Sequence, residues 1–323
     1  MTNMNRILVT GFSGFVGKYL ISHLSKKKMK FEILGVDLNE PEYEYNYSEY
    51  LSTKFEKVDL LDSIKLRNLI NLFQPNYIMH LASYSSVGLS WKNPSLSFKN
   101  NMNIFLNMME IIRELSPKCR ILSIGSSEEY GNVSGDKFPL KEEYSLNPVS
   151  PYAVARVSQE QLSKVYCDGY GLDVVMTRSF NHIGVGQKDI FVISSFTKQL
   201  VEIKKGIKKE KKLVTGDITI VRDFLDVRDV VDAYFRLLIN GKKGEVYNVC
   251  SGIGVSLREV IEMICKILDI HVEIEIDPSR LRPNDNRVIV GSNEKLRKAM
   301  GWEPQISLKE SLKDIIDYWY KYV

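Results

Sequence analysis

The chain has 323 residues, 44% of them hydrophobic, which is typical of a soluble globular protein with a large core. Its 44 basic and 40 acidic residues give a formal net charge of only +4, which does not indicate a nucleic-acid-binding protein. The densest basic run, residues 204–212, is interpreted as a solvated loop. No apolar run approaches the roughly 20 residues that a membrane helix requires. We therefore expect neither nucleic acid nor a membrane as a partner.

The four cysteines lie far apart in the sequence, with neither a CxxC pair nor the spacing of zinc ligands. This pattern predicts buried, unpaired thiols in a reducing compartment and no metal site. The first predicted strand begins at residue 6, which leaves no room for a secretion signal. We therefore expect a cytoplasmic protein. The cysteines are Cys119, Cys167, Cys250 and Cys265.

A glycine-rich loop follows the first predicted strand. Residues 6–10 are continuously apolar, as in a parallel strand buried on both faces, and a helical pattern follows the loop. In the GxxGxxG spacing, Gly11 permits a tight turn, Gly14 lets a pyrophosphate approach the backbone, and Gly17 lets the helix pack on the strand. The free N–H groups at the helix start would face the phosphates. The predicted cofactor loop comprises Gly11, Phe12, Ser13, Gly14, Phe15, Val16 and Gly17.

An aspartate ends the second predicted strand, residues 31–36. Asp37 lies about 20 residues beyond the last glycine of the loop, where an acidic side chain binds the ribose hydroxyls of adenosine. Because a carboxylate repels a 2′-phosphate, Asp37 favours NAD over NADP as the cofactor. A turn-forming aspartate is the alternative interpretation.

The next stretch carries weaker signals. Residues 41–54 are rich in Tyr, Glu and Ser and are interpreted as a surface loop. Tyr50 and Lys54 have the spacing of a phenol and ammonium pair, but no helical pattern supports them, and we set them aside. Asp59 follows a short apolar stretch and is predicted to lie near the adenine edge of the cofactor.

Strand and helix patterns alternate up to about residue 180. Residues 77–83 read as a buried strand that ends in small side chains, which would leave space for a dinucleotide. His80 lies inside this apolar run, so a structural histidine is favoured over a catalytic one. Helices are predicted over residues 94–115 and 151–170. The alternation predicts an α/β fold, a doubly wound parallel Rossmann sheet with helices on both faces.

A polar cluster follows the apolar strand of residues 121–124. The strand stops at a glycine and opens into hydroxyls and carboxylates. Downstream, Tyr152 and Arg156 stand four residues apart, on one face of the predicted helix. An acid, a phenol and a cation beyond the end of a strand indicate proton and hydride chemistry in the presence of a cofactor. Neighbouring side chains point to opposite sides, so Glu128 and Glu129 are not expected to face the same site.

The pattern changes after residue 180. A glycine-bearing loop at residues 181–187 precedes a helix to about residue 205, and later helices and short strands alternate irregularly. We predict a Rossmann domain over residues 1–180, to which segments near residues 222–250 return. Residues 181–323 are predicted to form a smaller, mixed α/β domain that binds the substrate.

The chain resembles, over nearly all its length, the extended short-chain dehydrogenase/reductases that act on nucleotide sugars. The resemblance rests on the GxxGxxG loop, Asp37, Asp59, residues 80–83, Ser126-Ser127-Glu128, the tyrosine helix and residues 222–224. Residues 181–187, 281–283 and 301–304 look most like the branch that uses GDP-sugars. That branch includes GDP-mannose and GDP-N-acetylglucosamine 4,6-dehydratases and GDP-4-keto-6-deoxymannose reductases.

The resemblance implies catalytic roles. Tyr152 would be the acid/base at the sugar O4, and Glu128 would remove the C5 proton, with Ser126 and Ser127 beside it. Arg156 stands where the family has a lysine. Arginine keeps the positive charge but is effectively never deprotonated, so it cannot relay a proton.

The resemblance also implies binding residues. Arg222 and Arg282 would form charge-assisted contacts with a sugar diphosphate, although a surface ion pair is the alternative for each. The further cofactor-binding residues implied are Leu60, Leu81, Ala82, Ser83, Asn101, Tyr152 and Arg156. The substrate-binding residues implied are Ser85, Ser127, Asn181, Arg222 and Arg282.

The leading functional hypothesis is a GDP-hexose 4,6-dehydratase with tightly bound NAD, in the synthesis of surface-glycan sugars such as legionaminic acid. A carboxylate at the strand end is required for elimination and superfluous for ketone reduction. The alternatives are a GDP-4-keto-6-deoxymannose 4-reductase, an epimerase or other sugar oxidoreductase and, because of Arg156, a catalytically inactive cofactor-binding sensor. A homodimer or higher homo-oligomer through the helices at residues 94–115 and 151–170 is expected.

Overall fold

The computed structural model describes residues 5–45, 49–133, 138–282 and 284–323. The strands are β1 (Asn5–Thr10), β2 (Phe31–Asp37), β3 (Leu51–Lys57), β4 (Tyr77–His80), β5 (Arg120–Ser126), β6 (Asp173–Ser179), β7 (Asn181–Ile183), β8 (Lys212–Thr215), β9 (Val221–Asp226), β10 (Val246–Val249), β11 (Gly254–Ser256), β12 (Glu273–Ile276) and β13 (Val288–Ile289). The α-helices are α1 (Phe15–Ser25), α2 (Ser63–Phe73), α3 (Val87–Lys92), α4 (Pro94–Leu115), α5 (Pro151–Tyr170), α6 (Val192–Lys204), α7 (Val227–Asn240), α8 (Leu257–Leu268), α9 (Glu294–Met300) and α10 (Leu308–Tyr322). Ser127–Tyr130 and Pro278–Arg280 form short 3-10 turns.

A seven-stranded sheet confirms the predicted parallel fold. Its strand order is β10-β6-β5-β4-β1-β2-β3, and every neighbouring pair is parallel. Ile7, Leu8 and Val9 of the central strand β1 are fully buried because helices cover both faces. The strand order reverses between β1 and β4, and ligands of such sheets bind at the carboxyl ends beside that reversal.

The edge strand β3 corrects one prediction. Residues 41–54 were expected to form a surface loop, but Leu51–Lys57 pairs in parallel with β2. Leu51 and Thr53 are buried whereas Ser52 and Lys54 are exposed, so only alternate side chains carry the hydrophobic signal. The prediction for residues 46–48 lies outside the described residues. β4 also ends earlier than expected, at His80.

The C-terminal part combines two small sheets with three packed helices. β9 pairs with β7, β11 and β13, and β8 pairs with β12. Leu200 of α6, Ile264 of α8 and Leu312 of α10 share one hydrophobic core. β10 instead joins the large sheet beside β6, and α7 packs against α1. Residues of α7 and β10 therefore lie with the N-terminal sheet.

The structure places the four cysteines and the basic run of residues 204–212. Cys119, Cys167 and Cys250 are buried and Cys265 is half-buried, and all four are free thiols. The basic run connects α6 to β8, and residues 204–211 are exposed. Over the described ranges, none of the helices has both the length and the apolar content needed to span a bilayer.

Candidate active site

The glycine loop between β1 and α1 requires glycine for steric reasons. Gly11 has φ +71°, and a Cβ there would lie 2.6 Å from the backbone nitrogen of Ala82. A Cβ on Gly17 would lie 2.0 Å from the carbonyl oxygen of Phe12. Gly14 is the N-cap of α1 and has no side chain that could cap the helix. The first-turn N–H groups and the positive dipole end are therefore available to an anion such as a pyrophosphate.

Phe12 contributes to this loop through its backbone. Its ring is fully buried, and a Cβ on Gly35 of β2 would lie 2.3 Å from the ring's Cγ. The ring also packs against Tyr43, Tyr45 and Phe55. Because the side chain belongs to the core, the predicted cofactor contact of Phe12 is limited to main-chain atoms.

Asp37 lies directly beside the glycine loop. Its Oδ2 accepts a hydrogen bond from the backbone N–H of Ser13 at 3.0 Å, and its Oδ1 accepts one from Leu38 at 2.7 Å. The Ser13 hydroxyl donates to the carbonyl of Asn39 at 2.6 Å. A negative charge is therefore fixed at the C-terminal end of β2, where the sequence predicted the adenosine ribose.

The loop after β3 holds Asp59 and Leu60. Asp59 is exposed, and its Oδ1 accepts from the Leu61 N–H at 2.9 Å. Leu60 is buried, and its carbonyl accepts from the Asn107 side chain at 3.0 Å. In this structure Asp59 thus stabilises a turn, while its carboxylate remains accessible to solvent.

Asn101, predicted to bind the cofactor, contacts the loop after β4. This α4 side chain is 2% exposed, and its Oδ1 accepts from the Tyr84 N–H at 2.8 Å. It therefore holds the loop after β4 in place, where Leu81, Ala82 and Ser83 are half-buried. Ser85, predicted to bind substrate, is exposed in the same loop.

His80 is a buried partner of β1. Its Nδ1 lies 2.8 Å from the Thr10 hydroxyl, and the side chain is 1% exposed. Burial, together with the charge of Arg156, lowers the pKa of His80 to about 3. A neutral histidine inside the sheet agrees with the structural interpretation.

The end of β5 separates two adjacent carboxylates. Glu129 is fully buried, and its Oε1 accepts from the Ser126 N–H at 2.6 Å. The Ser126 hydroxyl accepts from the Glu128 N–H at 3.2 Å, and Ser126 and Glu129 form a capping box. Ser126, predicted as catalytic, thus serves as a helix cap. Ser127 beside it is 3% exposed.

Glu128 points instead toward the C-terminal part of the chain. Its Oε2 accepts from the Asn286 side-chain amide at 3.0 Å, and the residue is 9% exposed. Burial raises the pKa of Glu128, whereas the positive charges of Arg222 and Arg282 oppose that shift. The structure therefore brings this predicted base together with both predicted diphosphate-binding arginines.

The two arginines share one acidic partner. Arg222 Nη2 lies 2.8 Å and Arg282 Nη1 lies 3.3 Å from Asp285 Oδ1. This is the ion-pair arrangement that the sequence left open, and it places two cations next to Glu128. Arg222 is 4% exposed. Asn181 lies half-buried on β7, which pairs with β9, the strand of Arg222.

Tyr152 and Arg156 share one face of α5, as the spacing predicted. Tyr152 is 7% exposed, and its backbone N–H donates to Ser90 Oγ at 3.3 Å. The Cζ of Arg156 lies 5.2 Å from the centre of the Tyr152 ring. Arg156 donates from Nη1 to the Ile124 carbonyl at 3.0 Å and from Nη2 to Ser83 Oγ. A phenol, a cation and the end of β5 therefore meet in one place.

Sequence reasoning missed three residues that contact this site. Asn286 and Ser90 come from segments without a motif, so no local signal could have identified them. Gln159 lies three positions after Arg156, and its Oε1 accepts a hydrogen bond from Arg156 Nη1 at 2.6 Å. Its place on the tyrosine face of a predicted helix was a usable signal.

Comparisons with known proteins agree with this geometry. The family profile of GDP-mannose 4,6 dehydratase matches residues 8–315. A GDP-6-deoxy-D-mannose reductase of Pseudomonas aeruginosa is 36% identical over 314 residues, which cover 97% of each chain. The structure of RMD from Pseudomonas aeruginosa complexed with NADPH has a TM-score of 0.85 at 35% identity, covering 98% of this chain and 100% of that one. The Thermus thermophilus UDP-glucose 4-epimerase complex with NAD also has a TM-score of 0.85, at 28% identity, with 98% and 100% coverage.

Proposed function

The chain belongs to the GDP-mannose 4,6-dehydratase family, and on that premise we propose that it is an NAD-dependent GDP-hexose 4,6-dehydratase. One observation carries the proposal. Glu128 is buried at the end of β5 and faces Arg222 and Asn286, whereas the adjacent Glu129 is directed into a helix cap. Elimination of water needs such a base, and plain ketone reduction does not.

The residues beside the carboxyl end of β1 fit a nicotinamide adenine dinucleotide. The uncapped start of α1 can bind the pyrophosphate, and Asp37 can accept hydrogen bonds from the adenosine ribose. Asp37 also favours NAD, because its carboxylate would repel a 2′-phosphate. When bound, the nicotinamide would supply a hydride acceptor for C4 of the sugar and a hydride donor for C6.

Tyr152 supplies the first proton transfer in the proposed reaction. As a base, its phenolate takes the proton from the sugar O4 while C4 is oxidised to a ketone. An ordinary phenol has a pKa near ~10, so it needs a nearby cation to ionise near neutral pH. Arg156 holds a permanent positive charge beside the ring.

Glu128 supplies the second proton transfer. The C4 ketone acidifies C5, the Glu128 carboxylate removes the C5 proton, and it passes this proton to the C6 hydroxyl, which leaves as water. Because burial raises the pKa of Glu128, it is a stronger base than an exposed glutamate. Arg222 and Arg282 would bind the diphosphate, which would then compete with Asp285 for their N–H groups.

A reductase of GDP-4-keto-6-deoxyhexoses is the second candidate. It is favoured by the Pseudomonas aeruginosa relative, a GDP-6-deoxy-D-mannose reductase that matches almost the whole chain at 36% identity. In that reaction Tyr152 would donate a proton to O4, and Glu128 would have no proton to remove.

One experiment separates the candidates. Purified protein is incubated with GDP-mannose and, separately, with GDP-N-acetylglucosamine, without added cofactor, and the sugar mass is followed. Loss of one water from either sugar is the expected result. Oxidation of added NADH or NADPH by a GDP-4-keto-6-deoxy sugar, without water loss from either GDP-sugar, would show that the protein is the reductase and not the dehydratase. Bound cofactor without turnover on any of these sugars would indicate a sensor.

The proposal includes a homodimer formed through α4 and α5. Leu96 and Phe98 on α4 and Val154 and Val165 on α5 are exposed apolar side chains, which supports an interface there. Light scattering of the purified protein tests this, and a monomer at micromolar concentration would contradict it.

A further inference from the structure

The guanidinium of Arg156 is enclosed by three elements of the fold. Its Nη1 donates to the Ile124 carbonyl of β5 and to Gln159 Oε1 of α5, at 3.0 and 2.6 Å. Its Nη2 donates to Ser83 in the loop after β4. Arg156 is 4% exposed and Gln159 is 2% exposed. The planar guanidinium has five N–H donors on three atoms, whereas a lysine has three donors on a single atom and cannot reach these acceptors in the same way.

We propose that Gln159 is a positioning residue, which sets the Arg156 guanidinium against the Tyr152 phenol and the cofactor site and thereby allows arginine to replace lysine. The inference deepens the proposed function and rests on it for the roles of Tyr152 and the cofactor. It does not depend on which sugar reaction follows.

The hydrogen bonds of Gln159 determine the orientation of its amide. The Nε2 group donates to Ser123 Oγ at 2.8 Å and to the Ile124 carbonyl at 3.2 Å. A carbonyl oxygen can only accept, so Nε2 must face β5 and Oε1 must face Arg156. The reversed amide would set its N–H groups against those of the guanidinium. Ser163 completes the network, because its hydroxyl lies 3.3 Å from Ser123 Oγ and donates to the backbone carbonyl of Gln159 at 2.8 Å.

The guanidinium still has donors for a ligand. Of its five N–H groups, two on Nη1 and one on Nη2 are used by the protein. The Nε of Arg156 is buried and has no partner among the described residues. A buried donor without a partner is unfavourable, and a ligand hydroxyl or an ionised phenol would satisfy it. The ring of Tyr152 is already at 5.2 Å from Cζ.

Three titratable groups lie near Arg156 and Tyr152. His80 of β4 and Glu129 at the end of β5 both interact electrostatically with Arg156. Tyr234 of α7 interacts with both Tyr152 and Arg156. A neutral substitution of Gln159 leaves all three in place, so a change in NADH affinity would report the position of the guanidinium.

Cofactor affinity provides the first test, with a double-mutant cycle of Gln159→Leu and Arg156→Lys. After removal of bound nucleotide, NADH binding is measured by fluorescence without any sugar. We expect Gln159→Leu to weaken binding on the order of 10-fold when Arg156 is present, the size of one hydrogen bond to a charged group. In the Arg156→Lys background the same change should have little effect. Gln161→Leu, an exposed glutamine of the same helix, is the control and should not change NADH binding.

A conservative variant of Gln159 provides the second test. Gln159→Glu keeps an acceptor for Arg156 Nη1, so it should retain more of the NADH affinity than Gln159→Leu does. Both variants lose the Nε2 bonds to Ser123 and to the Ile124 carbonyl, so a purely structural role would weaken NADH binding equally in both.

The outcomes distinguish this inference from the proposed function. Equal weakening by Gln159→Leu in both backgrounds, or no NADH binding by the unaltered protein, would overturn the inference. Coupling in NADH affinity without turnover of any GDP-sugar would leave the inference standing and overturn the dehydratase. If Gln159→Leu does not fold, Gln159→Met, which is of similar size and also lacks the acceptor for Arg156, takes its place in the double-mutant cycle.

Discussion

Asn286 donates its side-chain amide to Glu128 at 3.0 Å, although the two residues are 158 positions apart in the chain. The C-terminal part therefore closes over the end of β5 and buries the carboxylate that the proposed elimination needs. Asn286 itself is 1% exposed, and its Oδ1 has no partner among the described residues. The environment of the base is thus built by both parts of the chain.

The Glu128→Gln variant should separate hydride transfer from elimination. Without the carboxylate, the rate of water loss should fall by roughly 100-fold or more, which is the usual contribution of a general base to a reaction rate. Oxidation at C4 should persist, because it depends on Tyr152. Mass spectrometry follows dehydration, and absorbance follows the reduced cofactor. The control is Glu129→Gln, which keeps its acceptor for Ser126 and should retain most activity. Full dehydration by Glu128→Gln would refute the assignment.

The Asn286→Ala variant should shift the pH dependence of dehydration. The Asn286 hydrogen bond favours the ionised carboxylate, so its loss should raise the pKa of Glu128 further. Because the base acts when ionised, the acid limb of the dehydration rate should move to higher pH. Asn284→Ala changes an exposed neighbour and should leave the limb in place. If the acid limb lies at the same pH in Asn286→Ala and Asn284→Ala, Asn286 does not affect the ionisation of Glu128.

The stability of the fold should fall as the pH rises, because of Glu129. Burial and the neighbouring Glu160 carboxylate raise the pKa of Glu129 to about 8. The pKa of Glu129 in the folded protein exceeds its value near ~4.3 in the unfolded chain. The protonated side chain therefore stabilises the fold fully below pH ~4.3, and this stabilisation is lost as the pH rises toward about 8. Glu129→Gln should flatten this slope and stabilise the protein at alkaline pH by roughly 2 kcal/mol. Urea unfolding at several pH values tests it, with exposed Glu143→Gln as the control. An unchanged slope would contradict the expectation.

Gly125 should tolerate no side chain. A Cβ there would lie 2.4 Å from both Glu129 Oε1 and the Thr177 carbonyl, inside the capping box. Gly125→Ala should therefore destabilise the protein by roughly 2 kcal/mol or more. Gly169→Ala is the matched control, because no atom lies within 4 Å of its Cβ position and alanine is favoured in helix α5 by about 0.5–1 kcal/mol. Chemical unfolding compares the two, and equal stabilities would disprove the steric argument.

Local patterns predicted those parts of the site that depend on neighbours in sequence. The glycine loop follows from its spacing, and Tyr152 and Arg156 face one way because a helix repeats every 3.6 residues. Glu128 and Glu129 diverge as expected, but they lie in the 3-10 turn Ser127–Tyr130 beyond the strand, so the turn and not strand alternation separates them. Each of these features needs only a few consecutive residues, and the structure shows the geometry that the pattern predicted.

Other features depend on packing between distant segments. Strand β3 was mistaken for a loop because an edge strand buries only alternate residues such as Leu51 and Thr53. The bond between Asn101 and the Tyr84 backbone joins α4 to a distant loop and left no signal in the sequence. The contact of Asn286 with Glu128 joins segments that no periodicity relates. Tertiary contacts of single polar side chains leave no repeat in the sequence.

The charge of Asp37 should set the choice between the two dinucleotides. Its carboxylate is fixed by the N–H groups of Ser13 and Leu38, at 3.0 and 2.7 Å, and cannot turn away without losing both bonds. Asp37→Asn removes the repulsion of a 2′-phosphate and should raise NADPH affinity relative to NADH on the order of 10-fold. The dissociation constants of both are measured by fluorescence. Glu40→Gln removes the same charge from an exposed position nearby and should change the ratio little, since solvent screens it. An unchanged ratio in Asp37→Asn, or equal shifts in both variants, would mean that the carboxylate does not face the ribose.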